Sequence, residues 1–197
     1  MTDDRFSALL TDVRSCMHCR NHLPYMPNPI IQASARSRIA IIGQAPGSKV
    51  EQTGIPWNDP SGRELRRWLG VDDGLFYNPE FFALIPMGFC YPGKGRSGDL
   101  PPRPECAPLW HHRLFAGMPH IELTLLVGKY AQVYYLGKKE AASLTNTVRC
   151  FNSYLPAYFP LIHPSPRNKI WHKRNPWFMS DVVPVLRQAV GQIIENR

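Results

Sequence analysis

The stretch Arg38-Ile-Ala-Ile-Ile-Gly43-Gln44-Ala45-Pro46-Gly47 sets how the chain is read. Its first half is a short apolar run without alternation, the pattern of a strand buried on both faces. Its second half is a glycine-bounded, proline-stiffened loop, so the strand ends at Gly43 and the chain turns. Three further runs share the pattern: Phe81-Phe-Ala-Leu-Ile85, Glu122-Leu-Thr-Leu-Leu-Val127, and Ala157-Tyr-Phe-Pro-Leu-Ile162, which leads straight into His163-Pro164-Ser165. Pro160 cannot donate to a ladder, so the last strand is expected at an edge or with a late start.

Helical patterns fall between the strands. Phe6, Leu9, Leu10 and Val13 make a short amphipathic helix. Ser61-Gly-Arg-Glu64 reads as a capping box opening a helix through Trp68 and Leu69. Helices are also expected over about 104–118, carrying Cys106, and over 129–136. Asn175 and Pro176 read as N-cap and first residue of a last helix, with an apolar stripe from Phe178 to Ile193 and a kink at Pro184. Strands alternating with helices predict one domain, 1–197: a three-layer α/β/α sandwich with a mostly parallel central sheet of about four strands. In such folds ligands bind beyond the carboxyl ends of the strands, where the unusual loops of this chain lie.

The 197 residues suffice for a hydrophobic core, and the formal net charge of +8 favours polyanionic partners. Twenty prolines mark rigid connecting loops. No apolar run approaches the ~18 residues of a membrane span. Met1-Thr-Asp-Asp-Arg-Phe has no signal-peptide core, so a cytoplasmic, reducing setting is expected; the protein is also expected to be a monomer. Reduced cysteines there favour metal ligation over disulfides.

Cys16-Met-His-Cys19 forms a close pair, and Cys90 and Cys106 follow singly around a Pro/Gly-rich loop; Cys150 is left over. Four thiolates brought together by folding suit either zinc or a [4Fe–4S] cluster, and spacing alone leaves both open. In either case the role is expected to be structural.

Three loops carry residues suited to chemistry. Gly43, Gln44 and Ala45 sit where backbone N–H groups can face a polar ring. Thr53-Gly-Ile-Pro-Trp57-Asn58-Asp59 offers an indole for stacking on a base and a carboxylate; the plainer readings are core filler and a turn carboxylate. His163-Pro-Ser-Pro-Arg-Asn168 fixes an imidazole by prolines at a strand end, where it can stabilise developing charge. Ser165, Pro166, Arg167 and Lys169, with the basic run to Arg174, suit phosphate contacts.

Together these loops resemble the uracil-DNA glycosylase superfamily, in particular its iron–sulfur branches, families four and five. Gly43-Gln-Ala-Pro-Gly47 is similar to the GEAPG loop of family four, Thr53-Gly-Ile-Pro-Trp57 to its TGxPF segment, and His163-Pro-Ser-Pro to the superfamily's HPSP loop. The cysteines match the cluster ligands of these branches in order and approximate spacing. The resemblance implies a [4Fe–4S] cluster on Cys16, Cys19, Cys90 and Cys106 rather than zinc. It implies hydrolysis of the N-glycosidic bond of uracil, or of a related deaminated base, flipped out of DNA. Asp59 and His163 would be catalytic. Gly43, Gln44, Ala45, Trp57 and Asn168 would bind the substrate base, and Ser165, Pro166, Arg167 and Lys169 the DNA. Two departures stand out. Gln44 and Ala45 occupy the loop where family one carries an Asp and family four a Glu; family five also lacks an acid there and resembles this chain in placing an Asp in a TGD-type segment after the first strand, where Asp59 stands. Pro86 stands where family four has an Asn that reads the uracil edge. A glycosylase for another base such as hypoxanthine, or a non-catalytic iron–sulfur nucleic-acid-binding protein, are the competing readings.

Overall fold

A computed structural model describes residues 3–138 and 143–196. Its elements run α1 (Asp3–Arg14), β1 (Ile39–Gly43), α2 (Ser48–Thr53), α3 (Pro60–Leu69), α4 (Asp73–Phe76), β2 (Phe82–Pro86), β3 (Lys94–Gly95), β4 (Gly98–Asp99), α5 (Cys106–Ala116), β5 (Leu123–Val127), α6 (Lys129–Leu136), α7 (Leu144–Arg149), β6 (Tyr158–Leu161), α8 (Lys169–Arg174) and α9 (Val183–Glu195).

The apolar runs form one four-stranded parallel sheet in the order β2-β1-β5-β6. Strand side chains alternate between faces, and here both faces are apolar. Ile39, Ile41, Leu125 and Phe159 pack with Leu65, Trp68 and Leu186 of α3 and α9. Ala40, Ile42, Ala83 and Leu126 pack with Phe6, Val13 and Leu114 of α1 and α5. The result is the expected three-layer α/β/α sandwich. Each large side chain so buried contributes about 1.5–3 kcal/mol. Pro160 lies on β6, an edge strand, opposite Leu126.

Three local expectations are corrected. Ser61 does not cap α3. The helix starts at Pro60, and Asp59 is its N-cap, with Oδ1 accepting the Gly62 N–H at 2.7 Å. An Asp followed by Pro supplies both the cap and the preset first residue, so the helix begins before Ser61. Glu64, the other half of the expected box, instead accepts from Arg67 and from the Trp68 indole. The helix carrying Cys106 is shorter than expected, starting at Cys106 itself. Before Pro184 the chain makes a π-type stretch, Phe178–Val182, rather than a simple kink, with the Val183 N–H reaching back to Phe178 O. Proline lacks the N–H that an α-turn needs, and the wider turn takes up the slack.

From β1 the chain goes to β2 on one side and later to β5 on the other. The carboxyl ends of β1 and β5 therefore flank a topological switch point, where a crevice opens. The hairpin β3–β4, closed by Arg96 and Ser97, lies between Cys90 and Cys106 and carries no strand-like apolar pattern in the sequence.

Candidate active site and candidate metal centre

The crevice is lined by the 43–47 loop, Trp57, Asp59, Pro86 and His163. Folding thus brings together Gly43, Gln44, Ala45, Trp57, Asp59 and His163, which lie more than a hundred residues apart in sequence at the extremes. The carbonyls of Gly43 and Gln44 accept from Met87 and Gly88 at 2.9 and 3.0 Å, which pins the loop to the end of β2. The N–H groups of Gln44 and Ala45 make no hydrogen bond among the described residues. They are donors left for a ligand or water.

Trp57 has φ 59°, alone among the described non-glycine residues in lying at positive φ. A bulky residue held there costs about 1–3 kcal/mol and persists only where its surroundings over-determine it. Those surroundings are visible. The indole lies on Gly43, where a Cβ would come within 2.7 Å of it, and the Trp57 carbonyl occupies the space a Cβ on Gly62 would need. Arg66 is buried, pairs with Asp73 at 2.7 Å and points Nη1 at the Trp57 carbonyl from 3.5 Å. The indole stacks on His163 with ring centroids 5.9 Å apart.

Burial pulls the His163 imidazole below its ordinary value of 6.5, against the opposing pull of the Asp59 charge. The ring is therefore neutral at pH 7, able to donate one N–H. Asp59 serves two masters: one oxygen caps α3, and the residue also lines the crevice.

Asn168 is not in the crevice lining. Its side-chain amide donates to the His163 carbonyl at 2.7 Å, so it holds the loop that carries the imidazole. Ser165 Oγ accepts the Arg167 N–H at the start of the 3₁₀ turn Pro166–Asn168. Arg167 donates to the Ser97 carbonyl at 3.1 Å, tying this loop to the β3–β4 hairpin. Pro166 and Lys169 are exposed beside it.

Cys16, Cys19, Cys90 and Cys106 line a second, separate cavity with Val13, Phe89 and Trp110, while Cys150 is exposed elsewhere. Burial pushes the Cys90 thiol up to about 12 and the Cys106 thiol up to about 11. Backbone N–H groups of Asn28 and Phe89 work the other way, favouring thiolate at Cys90 and Cys106. Arg103 lines the same cavity, and its buried Nε has no hydrogen-bond partner among the described residues. Cysteine sulfurs, backbone N–H donors and a guanidinium share this cavity, and these are the kinds of group that an anionic thiolate-bound centre would need. Among the described residues no group of three His, Cys, Asp or Glu side chains has the arrangement to hold a metal ion.

Two structural residues went unread in the sequence. His111 is buried, with Nε2 3.1 Å from the Pro86 carbonyl and Nδ1 2.7 Å from the Tyr135 hydroxyl. A carbonyl only accepts, so Nε2 carries the proton and Tyr135 donates to Nδ1. Burial lowers His111 from 6.5 to about 4 and raises Tyr135. Arg66, behind Trp57, is the other. The only sequence signal for either was a place on the inner face of its helix.

A parallel sheet with a carboxylate, a neutral imidazole and a stacking indole at one crevice has the build of an α/β enzyme domain. The family model described as the uracil DNA glycosylase superfamily matches residues 31–187, and the chain belongs to that superfamily. Its members are DNA glycosylases, hydrolases that act on DNA. No helix among the described residues is long and apolar enough to cross a membrane.

Proposed function

We propose that the protein hydrolyses the N-glycosidic bond of uracil, or of a related deaminated base, in a nucleotide flipped out of DNA. The observation that carries this reading is the convergence of Trp57, Asp59 and His163 with the free N–H groups of the 43–47 loop in one crevice. The target must leave the stack because its anomeric carbon is shielded in the duplex. Trp57 would then stack on the extruded base. As the bond to C1′ breaks, its electron pair goes to the base and the sugar gains oxocarbenium character. Asp59 would stabilise that cation and orient the water whose oxygen bonds to C1′, and the proton that this water loses balances the one that the departing base anion takes up. His163, neutral, would donate its N–H to the base oxygen on which negative charge collects. A preorganised donor of this kind is worth about 3–4 kcal/mol. The Gln44 and Ala45 N–H groups would hold the base or the water. Pro86 brings no side-chain hydrogen bond to the base edge, which supports a pocket that accepts more than uracil.

Cys16, Cys19, Cys90 and Cys106 would hold a [4Fe–4S] cluster. When bound, that group supplies a cross-link between the segment after α1 and the 90–106 loop, and no chemistry at the crevice. Cysteines bind such a centre as thiolates, so loading should release protons and assembly should be pH-dependent.

A cleavage assay on oligonucleotides with single lesions, including uracil and hypoxanthine, tests the reading. Abasic product from at least one deaminated base is expected. DNA binding without cleavage of any lesion would leave the non-catalytic alternative instead.

A further inference from the structure

The β3–β4 hairpin touches both loops that frame the crevice. On one side Asp99 approaches Gly47, with a carboxylate oxygen 3.4 Å from where a Gly47 Cβ would stand. On the other, the Ser97 carbonyl accepts from Arg167, four residues after His163. At its base, Gly93 packs on Pro24, and Tyr91 stacks with Tyr25 at 6.4 Å between ring centroids. Pro24 and Tyr25 belong to the segment that follows Cys19. The hairpin therefore crosses from the cysteine side to the mouth of the crevice and is fastened at both ends.

Its charges are unequal. Lys94 stands opposite Asp99 in the ladder, and Asp99 is also approached by the Tyr91 hydroxyl at 3.4 Å. Arg167 is engaged by the Ser97 carbonyl. Arg96, exposed at the turn, has no acidic partner among the described residues. A guanidinium held on a short rigid turn suits a phosphate, which it binds through a fork of N–H donors.

We propose that the hairpin is a strap across the mouth of the crevice, and that Arg96 at its tip binds a phosphate of the DNA strand carrying the target nucleotide. This rests on the glycosylase reading for its partner, and charge complementarity selects the strand's phosphates. Arg167 Nη1 joins the strap to the His163 loop, and the side chain is otherwise exposed.

The test compares Arg96→Ala with Arg36→Ala, an exposed cation at the opposite end of the sheet, by fluorescence anisotropy on a lesion-bearing duplex across a salt series. Arg96→Ala is expected to reduce the slope of log K against log salt by about 1, as loss of one phosphate contact does. It should raise KM several-fold and leave the single-turnover rate at saturating enzyme within twofold. Arg36→Ala should leave the slope unchanged. An unchanged slope for Arg96→Ala, or equal changes for both variants, overturns the strap. If the wild type binds but cleaves no lesion, the functional proposal fails, and the slope still decides the strap on its own.

Discussion

The crevice and the cysteine cavity lie on neighbouring parts of one molecule and treat polar groups in opposite ways. In the crevice, donors are left open: the Gln44 and Ala45 N–H groups make no hydrogen bond among the described residues, and a tryptophan is kept in a costly backbone conformation. In the cavity, groups are shut in, with thiols among Val13, Phe89 and Trp110 and pushed up by burial. Strain and open donors belong where a substrate must be gripped. Enclosed sulfur belongs where chain segments must be held. The superfamily match divides them further, since residues 31–187 include Gln44, Trp57, Asp59 and His163 of the crevice but begin after Cys16 and Cys19. Membership in the family therefore speaks to the crevice and not to the pair Cys16 and Cys19.

The sharpest way to break that division is to remove charge from the crevice without touching the fold. Asp59→Asn keeps a good N-cap, because Asn caps helices about as well as Asp. It is expected to cut the single-turnover cleavage rate about 10²–10³-fold, the range seen when one transition-state contact is lost, with melting temperature and DNA affinity unchanged. Wild-type-like rates would take Asp59 out of the chemistry.

The second effect runs through the residue that joins the two regions. His111 sits on α5, whose first residue is Cys106, and donates to Pro86 at the crevice. Its folded-state value is about 4 against 6.5. Above pH 6.5 neither state binds the proton, so His111 costs nothing. Below 6.5 the unfolded chain takes it up first, and stability falls until the folded ring protonates near pH 4. The full loss is on the order of 3 kcal/mol. Denaturant titrations across this window should show the decline, and His111→Gln should flatten part of it. A decline that His111→Gln leaves untouched would assign it to other groups, among them His163, which burial also lowers.

How much of this was legible beforehand depended on whether a feature was local. The sheet strands were, because a strand buried on both faces leaves a continuous apolar run, and their observed ends fall close to those runs. The crevice residues were legible as loops at strand ends. What folding alone decides was not. Trp57 at positive φ has no local signature, since nothing in Pro56-Trp57-Asn58 demands it; Gly43, Gly62 and Arg66 impose it from outside. The β3–β4 hairpin, two residues a side, is too short and polar to show a period. The resemblance makes Asn168 a ligand for the base, and nothing local in its loop announces its contact with the His163 carbonyl.

On the cysteine side the expected effects are on stability and colour. Purified in air, the protein should be brown with broad visible absorbance. Cys106→Ser should bleach it and lower the melting temperature by about 4–8 °C, the equivalent of about 2 kcal/mol at this chain length. The cleavage rate at saturating enzyme should stay within threefold. A colourless, zinc-loaded wild type would reject the cluster. A variant that keeps its stability but loses cleavage would erase the distinction between a region that holds and a region that reacts.

The smallest effect decides whether Asp59 belongs to one region's logic or to both. Its carboxylate accepts the Gly62 N–H, and Gly62 is the residue on which the Trp57 carbonyl rests. A capping role alone predicts that Asp59→Ala and Asp59→Asn differ from each other in stability and that only the alanine disturbs Trp57. A catalytic role alone predicts equal loss of cleavage and equal stability. The geometry predicts a split: both variants lose cleavage alike, while the alanine variant is less stable by about 1 kcal/mol, the usual cost of a lost N-cap. Without the cap the first turn of α3 loosens, Gly62 shifts, and the indole loses part of its support. Base-analogue affinity should therefore weaken in Asp59→Ala and hold in Asp59→Asn. Equal stability of the two variants would mean that the 2.7 Å contact does not anchor the helix, and that the strained Trp57 is kept in place by Arg66 and Gly43 instead.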